Sequence, residues 1–335
     1  MAFNRKCFLL AGVAVALTLL VSGFNAQAQE AIRIGTSSSG SAYYTIAIGA
    51  GEIINKYAKV NTTVESVGGS SANVNAIGRK KIEFALANSF ASYSGYNGLD
   101  RFKDKIELRL VLQGHSTLRY IFSRKGTAIK SIKDLEGKTV VGIRRALPEL
   151  ALVLDALLKV HGVDKSKVKI VATSNAGETL KALEAGSVDA AMIPFSAKSA
   201  QVARPMQNGL IKQIFITKEK QAEALKMLPE MMYPVVIKPG NFENQPRPMN
   251  TFGFNSYFIA RSDVDEDIVY RVMKALAENT KEFSTYHKTG TLWTAERALK
   301  NFAVPFHSGA VKYLKEKGLW TAEIAAKQDR LLKRQ

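Results

Sequence analysis

The chain runs to 335 residues, with 47 lysines and arginines against 29 acids and a formal net charge of +18. Charged and hydrophobic shares of 23% and 46% exclude an intrinsically disordered polymer. The single cysteine, Cys7, excludes a disulfide framework and a thiolate metal site. The basic clusters (Arg79-Lys80-Lys81, Lys103 with Lys105, Lys315 with Lys317, Lys333-Arg334) are scattered and lack interleaved aromatics, so nucleic acid is not an expected partner. The field instead favours anionic small molecules.

Residues 1–28 read as a cleaved export signal. Arg5 and Lys6 precede an apolar run from Phe8 to Val21, and Ala26-Gln27-Ala28 supplies the small-x-small cleavage pattern. A soluble periplasmic protein, monomeric and starting near Gln29, is expected. What remains exceeds one ordinary hydrophobic core, so two lobes are expected. Strand and helix then alternate. Strands are predicted at Ala31–Ile34, Thr62–Val67 and Phe84–Ala87, with helices at Ile46–Tyr57 and Ser70–Arg79. Leu108–Leu112 and Tyr120–Ser123 read as two strands flanking a change of lobe. A short helix at Ser131–Leu135 precedes a strand at Thr139–Ile143, a helix at Pro148–His161 and a strand at Lys169–Ala172. A helix at Glu178–Ala185 and a strand at Ala190–Ile193 follow. Gln221 to Arg247 carries no clear pattern. Tyr257–Ala260 reads as a strand, Asp265–Tyr286 as one long helix, and the tail from Trp293 as helical. Such alternation predicts α/β architecture with mainly parallel sheets.

The stretch from Gly35 to Tyr44 joins a strand to a helix through glycine and serine. Free backbone N–H groups at a helix start suit an anion, and the hydroxyls of Ser37, Ser38 and Ser41 add donors. An internal echo stands further on. Ile82-Glu83-Phe84-Ala85-Leu86-Ala87 after Gly78 resembles Val188-Asp189-Ala190-Ala191-Met192-Ile193 after Gly186. Two similar units on either side of residue 118 would present strand ends to a shared cleft.

Several of these pieces match one family. Ile34-Gly35-Thr36 with Gly40 and Tyr43-Tyr44, Val67-Gly68-Gly69-Ser70 with Asn73, Asn88-Ser89, Tyr96-Asn97-Gly98, Ile132 to Lys138 and Pro305-Phe306-His307-Ser308-Gly309-Ala310 with Tyr313 together resemble the TAXI-type receptors of TRAP transporters. The resemblance implies a type II periplasmic-binding-protein-like α/β fold, two lobes (29–116 with 253–335, and 117–252) joined by a two-segment hinge with the ligand cleft between them. It further implies a receptor without catalytic activity, cofactor or metal, which delivers a dicarboxylate or an acidic amino acid such as glutamate to TRAP permease subunits. Carried over by position, the first-lobe site would comprise Ser37, Ser38, Gly40, Ser41, Tyr43, Ser70, Asn73 and Asn88. A receptor of an ABC importer shares this fold and differs in its membrane partners.

The chain departs from that family after Thr139–Ile143, where Arg144-Arg145-Ala146-Leu147-Pro148-Glu149 replaces a Gly/Ser loop. Arg144 and Arg145 are therefore candidates to grip an acidic group as the lobes close, since a guanidinium holds an oxyanion through paired donors. Arg119 is a weaker candidate. Enzyme readings find little support: Ser41 stands where a phosphate-binding loop needs lysine, no nucleophile elbow occurs, and His115, His161, His287 and His307 are isolated.

Overall fold

The computed structural model describes residues 31–145, 147–195 and 200–333; the expected export signal lies outside them. The first half begins β1 (Ala31–Thr36), α1 (Ala42–Ile53), β2 (Asn61–Ser66), α2 (Ser70–Gly78), β3 (Phe84–Asn88) and α3 (Ser89–Asn97). The long strand β4 (Leu108–Arg124) leads to the second half. There β5 (Thr139–Ile143), α4 (Glu149–Val160), β6 (Lys169–Ala172), α5 (Ala176–Glu184) and β7 (Ala190–Phe195) repeat the pattern. After α6 (Ala200–Gln207), β8 (Ile211–Gln213), α7 (Lys218–Leu225) and β9 (Tyr233–Ile237), the long strand β10 (Met249–Arg261) returns the chain to the first half. It ends in α8 (Glu266–Glu278), α9 (Thr280–Tyr286), α10 (Ala295–Ala298), α11 (Ser308–Glu316) and α12 (Ala322–Leu332).

The main sheet path runs β2-β1-β3-β10-β4-β7-β5-β6, and this order reads alike from both ends. β1 pairs with β2 and β3 in parallel, as β5 does with β6 and β7. β3 and β7 each meet a long strand antiparallel, and the two long strands pair with one another. The echoed acids occupy equivalent places. Glu83 accepts the Arg33 backbone N–H at 2.9 Å and faces Arg261 at the end of β10. Asp189 accepts the Thr139 backbone N–H at 3.0 Å and faces Arg124 at the end of β4. Both acids brace a parallel strand start; neither is near the cleft.

The predicted pair of strands at Leu108–Leu112 and Tyr120–Ser123 is one continuous strand. Its polar middle reads as a loop, yet Gln113, His115 and Ser116 there are each held by a side contact. Gln113 Nε2, for example, donates to the Arg297 and Lys300 carbonyls at 2.8 and 2.7 Å. The single helix predicted over Asp265–Tyr286 is two, because Asn279 leaves helical geometry (φ −114, ψ 33) and turns its side chain back onto the Ala275 carbonyl. Helix α3 carries no clear helical pattern in its serine-rich sequence. The Asn88 side chain caps it by accepting from Ala91 N at 2.7 Å, and Gly98 closes it at φ +65.

One apolar cluster, including Ile34, Leu86, Leu110, Phe258 and Leu276, gathers β1–β3, the outer ends of β4 and β10, and the C-terminal helices. The second half carries a cluster on each sheet face: Val140 and Met192 point to one, their neighbours Val141 and Ala191 to the other. This alternation is the two-residue period of a sheet covered on both sides.

Candidate functional site

The carboxyl ends of β1, β3 and β5 converge where β4 and β10 cross between the halves, the usual place for a ligand in such sheets. Arg119 projects there from β4. It is fully buried and forms an ion pair with Glu149, also fully buried, the first residue of α4. A second Arg119 nitrogen donates to Thr117 Oγ1 at 3.0 Å and to the Leu118 carbonyl at 2.9 Å. The guanidinium also lies 4.2 Å from the centre of the Phe254 ring. Asn88 Nδ2 reaches Glu149 from the opposite half at 3.4 Å.

Arg144 follows the end of β5 and is turned inward, where it feels both Arg119 and Glu149. Burial first, then repulsion from Arg119, pushes its guanidinium down to about 10, so it remains a cation at neutral pH. Its Nε and Nη1, Arg119 Nε and Glu149 Oε2 are buried and find no hydrogen-bond partner among the described residues. Buried polar atoms are normally paired, so this concentration of unmet polar atoms makes the place a candidate binding centre. Arg145, by contrast, is exposed; only its carbonyl takes part, accepting from Arg101 Nη1 at 2.6 Å. That bond and the Asn88–Glu149 bond link the two halves across the cleft.

A hydrogen-bonded wall continues along the long strands. Tyr43 OH donates to Ser256 Oγ at 2.9 Å, and Ser256 lies 3.3 Å from His115 Nε2. Burial pushes the Tyr43 phenol up to about 12 and the His115 imidazole down to about 3, so both are neutral at pH 7. Tyr233 OH bridges Ser116 Oγ at 2.6 Å and Asn255 Oδ1 at 2.5 Å. Arg297 Nη2 holds Ser116 from behind at 3.0 Å.

The structure sorts the carried-over residues by place. Of the Ser37–Ser41 loop, Ser38 and Gly40 are exposed, and Ser41 caps its own helix by accepting from Tyr44 N at 3.1 Å. Ser37 offers its carbonyl to Ser66 Oγ at 3.1 Å. The loop lies at the rim, and Tyr43 is the residue of this stretch that reaches the buried wall. Ser70 Oγ accepts from Asn88 N at 3.0 Å, and Asn73 Nδ2 donates to the Leu86 carbonyl at 2.6 Å. These two position β3 and its end rather than face the two arginines. Sequence reasoning underrated Arg119 and passed over Glu149, Ser256 and Tyr233. An arginine isolated within the apolar run Leu118 to Phe122 was the available signal for the first.

Among the described residues no group of three or more His, Cys, Asp or Glu side chains could hold a metal ion, and no helix is long and apolar enough to cross a membrane. A cavity of about 700 Å³ lined by Arg109, Glu266, His307 and Lys315 lies on the outer side of the first half, away from the cleft.

Solved structures share this architecture. The periplasmic aliphatic sulphonate binding protein SsuA from Escherichia coli is 14% identical over 90% of each chain, with a TM-score of 0.51. The binding protein component of an ABC phosphonate transporter from Pseudomonas aeruginosa is 11% identical over 91% of this chain and 98% of its own, at 0.56. PhnD1 from Prochlorococcus marinus in complex with methylphosphonate is 10% identical over 79% and 92%, at 0.55. The type II periplasmic-binding-protein fold, with two lobes and a two-strand hinge, is therefore established.

The resemblance to TAXI-type receptors, and with it TRAP permease partners and a dicarboxylate or glutamate ligand, is overturned by the family model that matches and by these neighbours. Its motifs misled for a physical reason. Gly40, Gly68, Gly69, Gly98 and Gly137 all adopt positive φ, so they are turn positions that this backbone requires whatever the ligand or transporter. The model of the NMT1-like family matches residues 34–318, and the chain belongs to that family.

Proposed function

We propose that the chain is the periplasmic solute receptor of an ABC-type importer, taking up a small oxyanion of the sulfonate or phosphonate class and handing it over unaltered. The observation that carries this reading is the pair of inward guanidinium groups, Arg119 and Arg144, with unmet donors at the meeting of strand ends and hinge. Tetrahedral oxyanions offer acceptors in the geometry that guanidinium forks satisfy. The start of α4 adds the positive end of a helix dipole. The named substrates of the structural neighbours are of the same chemistry.

In this reading residues 29–116 with 253–335 form one lobe and 117–252 the other. Tyr43, Asn88 and Ser70 contribute or support the first wall, and Arg119 and Arg144 grip the ligand. Ligand drives closure because only the closed form lets it touch the Tyr43 wall and the two arginines together; the Asn88–Glu149 and Arg101–Arg145 bonds then bridge the lobes. The closed outer surface is what the importer's membrane subunits would recognise. The test is a thermal-shift screen with methanesulfonate, ethanesulfonate, methylphosphonate and ethylphosphonate, followed by mass spectrometry of the recovered compound. Ligand at a hundredfold excess over Kd stabilises by about 2.7 kcal/mol, a shift of a few degrees. No shift with any of the four, or recovery of a converted product, would refute the reading.

A further inference from the structure

A buried carboxylate, Glu149, stands in the cleft beside the two arginines. An anion receptor gains nothing obvious from a fully buried Glu149 facing its own binding arginine. Arg119 and Arg144 are cations and Glu149 an anion, while Tyr43 and His115 are held neutral by burial. Arg297 is engaged with Ser116 and the Gly114 carbonyl on the far side of Tyr233, and Arg145 stands exposed at the rim. The centre thus holds two positive charges and one negative.

Resting on the oxyanion reading, we infer that Glu149 sets charge selectivity: it leaves the cleft one net positive charge, so the receptor takes a monovalent sulfonate and rejects a divalent phosphonate of the same shape. A sulfonate makes the enclosed set neutral. A phosphonate dianion would bury a surplus negative charge next to Glu149, whose Oε2 has no donor among the described residues to soften the repulsion. Across about 5 Å at an effective dielectric of about 20, Glu149 cancels one arginine's attraction for the second charge, roughly a hundredfold in affinity, and what remains does not offset the larger desolvation cost of a dianion. Specificity here comes from a repulsive element placed beside the attractive ones.

The experiment compares ethanesulfonate with ethylphosphonate by calorimetry, at a mildly alkaline pH where the phosphonate is a dianion. The wild-type chain should prefer the sulfonate by roughly ten- to a hundredfold. Glu149→Gln keeps the carbonyl oxygen that Arg119 and Asn88 contact while removing the charge, and should erase or invert that preference. Equal wild-type affinities overturn the inference and leave the oxyanion reading intact. So does a Glu149→Gln variant that binds both compounds more tightly by the same factor, since Glu149 would then be a plain competitor for Arg119. Failure of the wild type to bind either compound overturns both. The wild-type comparison stands even if the variant does not fold.

Discussion

Replacing each inward arginine separates binding from stability. Arg119 and Glu149 are both fully buried, so Arg119→Gln leaves a buried carboxylate with the Asn88 amide as its remaining hydrogen-bond partner among the described residues. Breaking a buried pair from one side costs about 3–5 kcal/mol, and the ligand-free protein should lose that much in urea unfolding. Arg144→Gln behaves differently. Its guanidinium has a pKa lowered by burial and by Arg119, so the folded chain holds that proton less readily than the unfolded chain. Throughout the range where both states are protonated, such a group opposes folding. Arg144→Gln should therefore leave ligand-free stability unchanged or raise it by up to about 1 kcal/mol. Its affinity for ethanesulfonate should fall by about 1.5–3 kcal/mol, one to two decades, for the loss of a charge-assisted contact. Calorimetry and urea titration on the same preparations read both quantities. Arg144→Gln with wild-type affinity, or Arg119→Gln with wild-type stability, would refute the reasoning for that residue.

Acid should weaken the fold through its histidines. All four have folded pKa values pushed below the ordinary 6.5, chiefly by burial, with His115 reaching about 3. As pH falls below 6.5 the unfolded chain takes up protons that the native one refuses, so stability drops toward pH 3, and His115→Gln should flatten part of that slope in urea midpoints; by linkage His115 accounts for at most about 5 kcal/mol. Gly114→Ala would place a methyl 2.1 Å from the buried Trp293 ring, which should lower stability by about 1–3 kcal/mol, and a melting curve unchanged from wild type would contradict that packing. Glu83→Ala should destabilise more than Asp189→Ala, because Glu83 accepts from the Arg33 backbone and guanidinium together while Asp189 has one close backbone bond. Equal losses in urea unfolding would refute that ranking of the two halves.

The sequence by itself determined the class of fold. Alternation of short apolar strands with amphipathic helices requires layered α/β packing, and the Glu83 and Asp189 echo announced two like halves before any coordinates, because short-range pattern suffices for both. The inward turn of Arg144 was legible only as one of a pair, since Arg144 and Arg145 are chemically alike and differ in which one the end of β5 points into the cleft. Tertiary structure alone decided that the glycine- and serine-rich loop stands at the rim and that Arg119 and Glu149 form a buried ion pair between the strand ends. Those two residues lie 30 positions apart, on β4 and at the start of α4. They meet through strand crossing, and a contact made at that distance along the chain leaves no local periodicity to read. The polar middle of β4 was illegible for the same reason: its partners come from β10 and the C-terminal helices, which only the folded chain brings alongside.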